Sequence, residues 1–100
     1  MSTAQASVMI THEAGLHARP SVQLTKLAKA FPARIELATD LAGPWLDAKS
    51  IVKVMAARAP KGTLLHLRAD GEKAREAIEA LAALVERDFD DGNEAHARTA

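Results

Sequence analysis

Gly15-Leu16-His17-Ala18-Arg19-Pro20-Ser21-Val22-Gln23-Leu24 is the stretch that decides how the chain folds, because it marks the passage from an extended segment into a helix. Upstream, Val8, Met9, Ile10 and Thr11 read as a short strand. Downstream, Leu24, Leu27, Ala28 and Phe31 recur at helical spacing. Pro20 fits only the first turn of such a helix, where its missing N–H would have no intrahelical partner. His17 therefore stands at or just before the helix start, beside the free amides of Ala18 and Arg19.

A helix N-terminus draws anions through its unpaired N–H groups and the positive end of its dipole. A neutral imidazole is also a nucleophile that forms covalent intermediates. Set there, with the Arg19 guanidinium close by, His17 has the parts needed to carry a phosphoryl group. Each dipole contact is worth roughly 0.3–2 kcal/mol, which holds a phosphoryl group without trapping it. Taken alone, a histidine such as His17 near a helix start is more often a cap or a surface residue than a catalytic one. The glycine before it and the arginine and proline after it tip the balance toward chemistry.

Gly15-Leu16-His17-Ala18-Arg19-Pro20 resembles the active-site signature of the HPr family, the histidine phosphocarriers of the phosphoenolpyruvate-dependent phosphotransferase system. Ala48-Lys49-Ser50-Ile51 resembles the segment around that family's regulatory serine, and similar patterning runs from about Ala6 to Arg87. The resemblance implies that His17 accepts a phosphoryl group from enzyme I and passes it to a downstream acceptor, a IIA-type protein or a kinase-relay component. It implies that Arg19 and the amides of Ala18 and Arg19 hold the phosphate. It also implies a serine kinase acting on Ser50, although Lys53 stands where some kinase-regulated relatives carry Gly.

Composition narrows the classes further. One hundred residues make a single domain, with a core over about 6–87 and a polar tail over 88–100. Thirteen basic residues balance thirteen acidic ones, which argues against nucleic-acid binding. The absence of cysteine removes disulfides and thiolate metal sites. His12 and His17 alone are too few ligands for a metal, so neither metal nor cofactor is expected. Met1 to Ala6 lacks a basic segment leading into an apolar core, and no apolar run approaches membrane-spanning length. The expectation is a cytoplasmic monomer.

In chain order, residues 6–12 form the first strand with Val8 and Ile10 on one face, and a helix runs from about Ala18 to Ala30. Val22, Lys26 and Lys29 share another helix face. They read as a solvated surface or, because Val22 is apolar and one turn from His17, as a docking surface. Arg34 to Thr39 alternate as a second strand, and Trp45-Leu46-Asp47 as a third. The hairpin between them is longer than the resemblance implies, and Trp45 is read mainly as a packing residue. Ile51 to Ala56 is rich in β-branched residues and would read as a strand by propensity. Ser50 as an N-cap, and the resemblance, make it a helix instead. By resemblance, Val52, Lys53 and Met55 complete the partner patch, rimmed by Lys26, Lys29, Lys49 and Lys53. Thr63 to Arg68 form the fourth strand, with Leu65 and Leu67 inward and His66 outward as a bystander. Glu72 to Arg87 form the last helix, burying Ala74, Ile78, Leu81 and Val85. The tail is expected to be frayed.

The expected fold is α+β in the order βαββαβα: an open-faced β-sandwich with a four-stranded, mostly antiparallel sheet and three helices on one face. The leading function is phosphoryl carriage on His17. The chief alternative is an HPr-like regulatory protein that acts by phosphorylation-dependent binding. A hydrolase built from Ser50, His17 and Asp47 is weaker, because no nucleophile elbow surrounds Ser50. A ferredoxin-like metal or small-molecule module is weakened by the missing cysteines.

Overall fold

The structure is a computed structural model and describes residues 2–89. Its elements are β1 (Thr3–Met9), α1 (Ala18–Lys29), β2 (Arg34–Ala38), β3 (Leu46–Asp47), α2 (Ile51–Ala56), β4 (Leu64–Asp70) and α3 (Ala74–Glu86). The strands form one sheet in the order β1-β4-β2-β3, antiparallel throughout. Alternation sorts the side chains by face. Val8, Ile35, Leu37, Leu65, Leu67 and Ala69 point into the core, where the helices cover them. Leu24 and Ala28 of α1, Val54 of α2, and Ala74, Ile78, Leu81 and Val85 of α3 supply the facing layer.

The strand bounds differ from those read in the sequence. The first strand begins at Thr3 and ends at Met9, rather than spanning 6–12. Ala4 and Gln5 carry little strand preference of their own, yet β4 pairs with this segment from Thr3↔Asp70 onward. Tertiary pairing here overrides local propensity. Past Met9 the ladder gives way to single bonds, Ile10 N–H to the Thr63 carbonyl at 2.8 Å and Gly62 N–H to the Ile10 carbonyl at 2.7 Å. The same pairing carries β4 on to Asp70. Ile51 to Ala56 is helical despite its β-branched content, because Ser50 Oγ accepts the Lys53 amide at 3.3 Å and caps it.

The second face of the sheet is open. Trp45 lies against it, with the Arg68 guanidinium 4.0 Å from its ring centroid. Arg68 Nε also donates to Glu36 Oε1 at 2.8 Å. His66 does point away from Leu65 and Leu67, but it is no idle surface residue: it is only 7% exposed and its Nδ1 lies 2.7 Å from Ser7 Oγ. A second correction concerns the start of the tail. Phe89 is 5% exposed and belongs to the core, reached through left-handed backbone at Asp88 and Phe89. Ordered packing thus runs past the last helix, and the rest of the tail, including His96, lies outside the described residues.

Candidate functional site

Gly15 sets the approach to α1. Its φ is +69°, and a Cβ there would lie 2.5 Å from the Ala59 carbonyl oxygen and 2.8 Å from Pro60 Cα. This close approach lets Leu16 N–H donate to the Ala59 carbonyl at 2.8 Å, pinning the loop before α1 to the loop after α2. Leu16 is buried, so the next residue is pushed outward.

His17 is that residue: exposed, and the N-cap of α1 in extended conformation. The first bond of the helix runs from Ser21 N–H to the His17 carbonyl at 3.0 Å. The amides of Ala18 and Arg19 therefore have no intrahelical partner, and Pro20 has no N–H to satisfy. His17 does not cap these amides with its own side chain. Its Nδ1 instead sits 3.3 Å from the Gly15 carbonyl oxygen, a long contact in which the nitrogen can only be the donor.

Two arginines belong to this region, Arg19 two residues beyond His17 in the first turn of α1 and Arg58 in the turn after α2. Arg19 is exposed and makes no side-chain ion pair or hydrogen bond among the described residues. Arg58 is likewise exposed and unpaired among the described residues, and it lines one open cleft with His17, Leu16, Ala18, Met55 and Pro60. Among the described residues, no carboxylate lines that cleft. Arg58 is held at φ +48°, a conformation that costs a residue with a side chain on the order of 1 kcal/mol or more. Its position in the sequence offers no hint of this placement, because only the turn after α2 brings it to the cleft that His17 lines.

His12 is the other residue the sequence undervalued. Its Nδ1 accepts the Ala14 amide at 3.2 Å, and its ring centroid lies 5.1 Å from that of His17 with a tilt of 34°. Phe89 meets the far side of His12 edge-on, with centroids 6.3 Å apart. Thr11 Oγ1 donates to Asp88 Oδ1 at 3.3 Å alongside. No group of three or more potential metal ligands forms among the described residues.

The suggested partner patch is mostly present as a surface. Val22, Met55 and Val52 are exposed, Val52 at 74%, and Lys26, Lys29 and Lys53 are exposed around them. Lys49 departs from the expectation. It is half-buried, and its Nζ donates to the Phe31 carbonyl at 2.7 Å, satisfying backbone just past the end of α1 rather than forming a free rim. Ser50 is engaged as the cap of α2. The hydrolase arrangement does not assemble: Asp47 Oδ1 accepts the Lys49 amide at 2.9 Å, Ser50 accepts the Lys53 amide, and His17 faces Gly15.

Comparison with known proteins agrees with this geometry. The profile of the family described as the PTS HPr component phosphorylation site matches residues 4–87. A phosphocarrier protein HPr from Vibrio cholerae is 42% identical over 80 residues, covering 80% of this chain and 92% of its own. The crystal structure of a phosphocarrier protein HPr from Bacillus anthracis superposes with a TM-score of 0.78 at 34% identity, covering 85% of this chain and 99% of that one. HPr-C-His from Thermoanaerobacter tengcongensis gives 0.81 at 32% identity, covering 86% and 94%.

Proposed function

The chain belongs to the HPr family and is a phosphocarrier of the phosphotransferase system, and from that footing we propose that His17 is the residue that takes up and releases the phosphoryl group. The observation that carries this is the placement of an exposed imidazole at the α1 N-cap, beside two unbonded amides and an unpaired arginine. The group comes from phospho-enzyme I and leaves to an acceptor protein of the IIA or kinase-relay type, in the cytoplasm. No feature of the described residues favours the regulatory binding alternative.

In the transfer, a lone pair on a His17 ring nitrogen forms a bond to phosphorus while the bond from phosphorus to the donor breaks, its electron pair staying with the donor. The other ring nitrogen keeps its proton. If the attacking atom is Nδ1, as the family resemblance implies, its proton must first move to Nε2. The bare Nδ1 then faces the Gly15 carbonyl, two electron-rich atoms together, and the ring turns outward. That rotation brings the nitrogen toward solvent and the incoming donor. The Ala18 and Arg19 amides and the Arg19 guanidinium receive the charge that spreads over the phosphoryl oxygens.

Docking falls to the neighbouring surface. Val22, Val52 and Met55 offer apolar contact, and Lys26, Lys29 and Lys53 favour an acidic partner, speeding encounter while leaving release fast. Ser50 is a candidate for phosphorylation by a serine kinase, which would set about two negative charges at the start of α2 within that surface. The deciding experiment is incubation with enzyme I and labelled phosphoenolpyruvate beside His17→Ala. Acid-labile, base-stable label on the parent alone is the expected result. Label on His17→Ala, or none on either protein with an active enzyme I control, overturns the assignment.

A further inference from the structure

We propose that Arg58 is a second clamp for the phosphoryl group, gripping it from the α2 side of the cleft. The proposal deepens the assignment of His17 and rests on it. Three observations carry it. Arg58 and His17 line the same open cleft, and Arg19 is not one of its walls. Among the described residues, the Arg58 guanidinium has no ion pair or side-chain hydrogen bond, and none of them brings a carboxylate to the lining of the cleft. The backbone that presents it lies at φ +48°, where a glycine would sit without strain. A side chain held at such a position by its surroundings points to a use for that side chain.

The chemistry fits. A phosphoryl group on His17 brings about two negative charges to an exposed position. One guanidinium reaches at most two of its oxygens in bidentate fashion, leaving others for a second donor set. Arg19 with the α1 amides and Arg58 from the turn after α2 would hold the group between two elements. Leu16 and Ala59, joined by a backbone bond of 2.8 Å, fix those elements to each other. Arg58 forms no covalent bond and moves no proton; it lowers the energy of the phosphorylated form and of the charge-spreading transfer state.

The test uses the position of equilibrium for phosphoryl exchange between enzyme I and this chain, read by quantitative ³¹P NMR. That constant depends only on the free species, so docking contacts cannot move it. Arg58→Gly removes the guanidinium and relieves the backbone, so it is expected to melt no lower than the parent. It should shift the exchange equilibrium about five- to tenfold toward the donor. Arg58→Lys, which keeps charge but not the fork, should fall between the two. An equilibrium unchanged in Arg58→Gly overturns the clamp while leaving His17 as carrier. A labelled His17→Ala would overturn both.

Discussion

The ring centroids of His12 and His17 lie 5.1 Å apart at a tilt of 34°, so the imidazole at the α1 N-cap rests against a second imidazole. His12 has a separate duty in the backbone, since its Nδ1 accepts the Ala14 amide and shapes the turn leading to Gly15. An asparagine could accept that same amide while offering no ring. His12→Asn should therefore stay within about 1 kcal/mol of the parent, whereas His12→Ala also leaves the amide unpaired. The ring protons of His17 should shift in His12→Asn as the neighbouring ring current disappears. Identical His17 signals in parent and variant would show that the rings do not pack in solution.

Gly15→Ala should be far more damaging than its single methyl group suggests. The added carbon would meet backbone atoms of Ala59 and Pro60 at 2.5 and 2.8 Å, and the residue would have to hold φ +69°. We expect a loss of about 2–4 kcal/mol in urea denaturation, from left-handed strain plus displacement of the turn after α2. A loss under about 1 kcal/mol would mean that the two loops are not held as tightly as their backbone bond implies.

Phe89→Ala should cost about 3 kcal/mol, near the lower end for a buried phenylalanine because it lies after the last helix. The ring also abuts His12, so its loss should perturb His12 and, through it, His17. Thermal unfolding, with the histidine ring signals followed alongside, reads both effects. A variant as stable as the parent would remove Phe89 from the core.

Much of the fold was legible because alternation and helical periodicity agree with its layers. Val8, Ile10, Ile35, Leu37, Leu65 and Leu67 are buried as their spacing requires, and α1 begins at Ala18 as Pro20 requires. The bounds of β1 were not legible, since they depend on β4, a partner far along the chain. The placement of His17 and Arg19 was legible because one helix start contains both. Arg58 was not: no local spacing relates it to His17, and only the return of the chain after α2 joins them. Lys49 misled for the converse reason. A lysine looks like surface in sequence, and only the structure reveals the Phe31 carbonyl waiting for it.

The pairing of β1 with β4, from Thr3↔Asp70 to Met9↔Leu64, has a consequence for synthesis. The first strand leaves the ribosome without its partner, and that partner is among the last elements made. Contacts of such long sequence separation close slowly, after most of the chain is available. The loop bearing His17 is tied to the same closure, through the Leu16–Ala59 and Ile10–Thr63 bonds. A nascent chain stopped before β4 thus holds the histidine but not the cleft, and a fully formed cleft marks a molecule in which β1 has found β4.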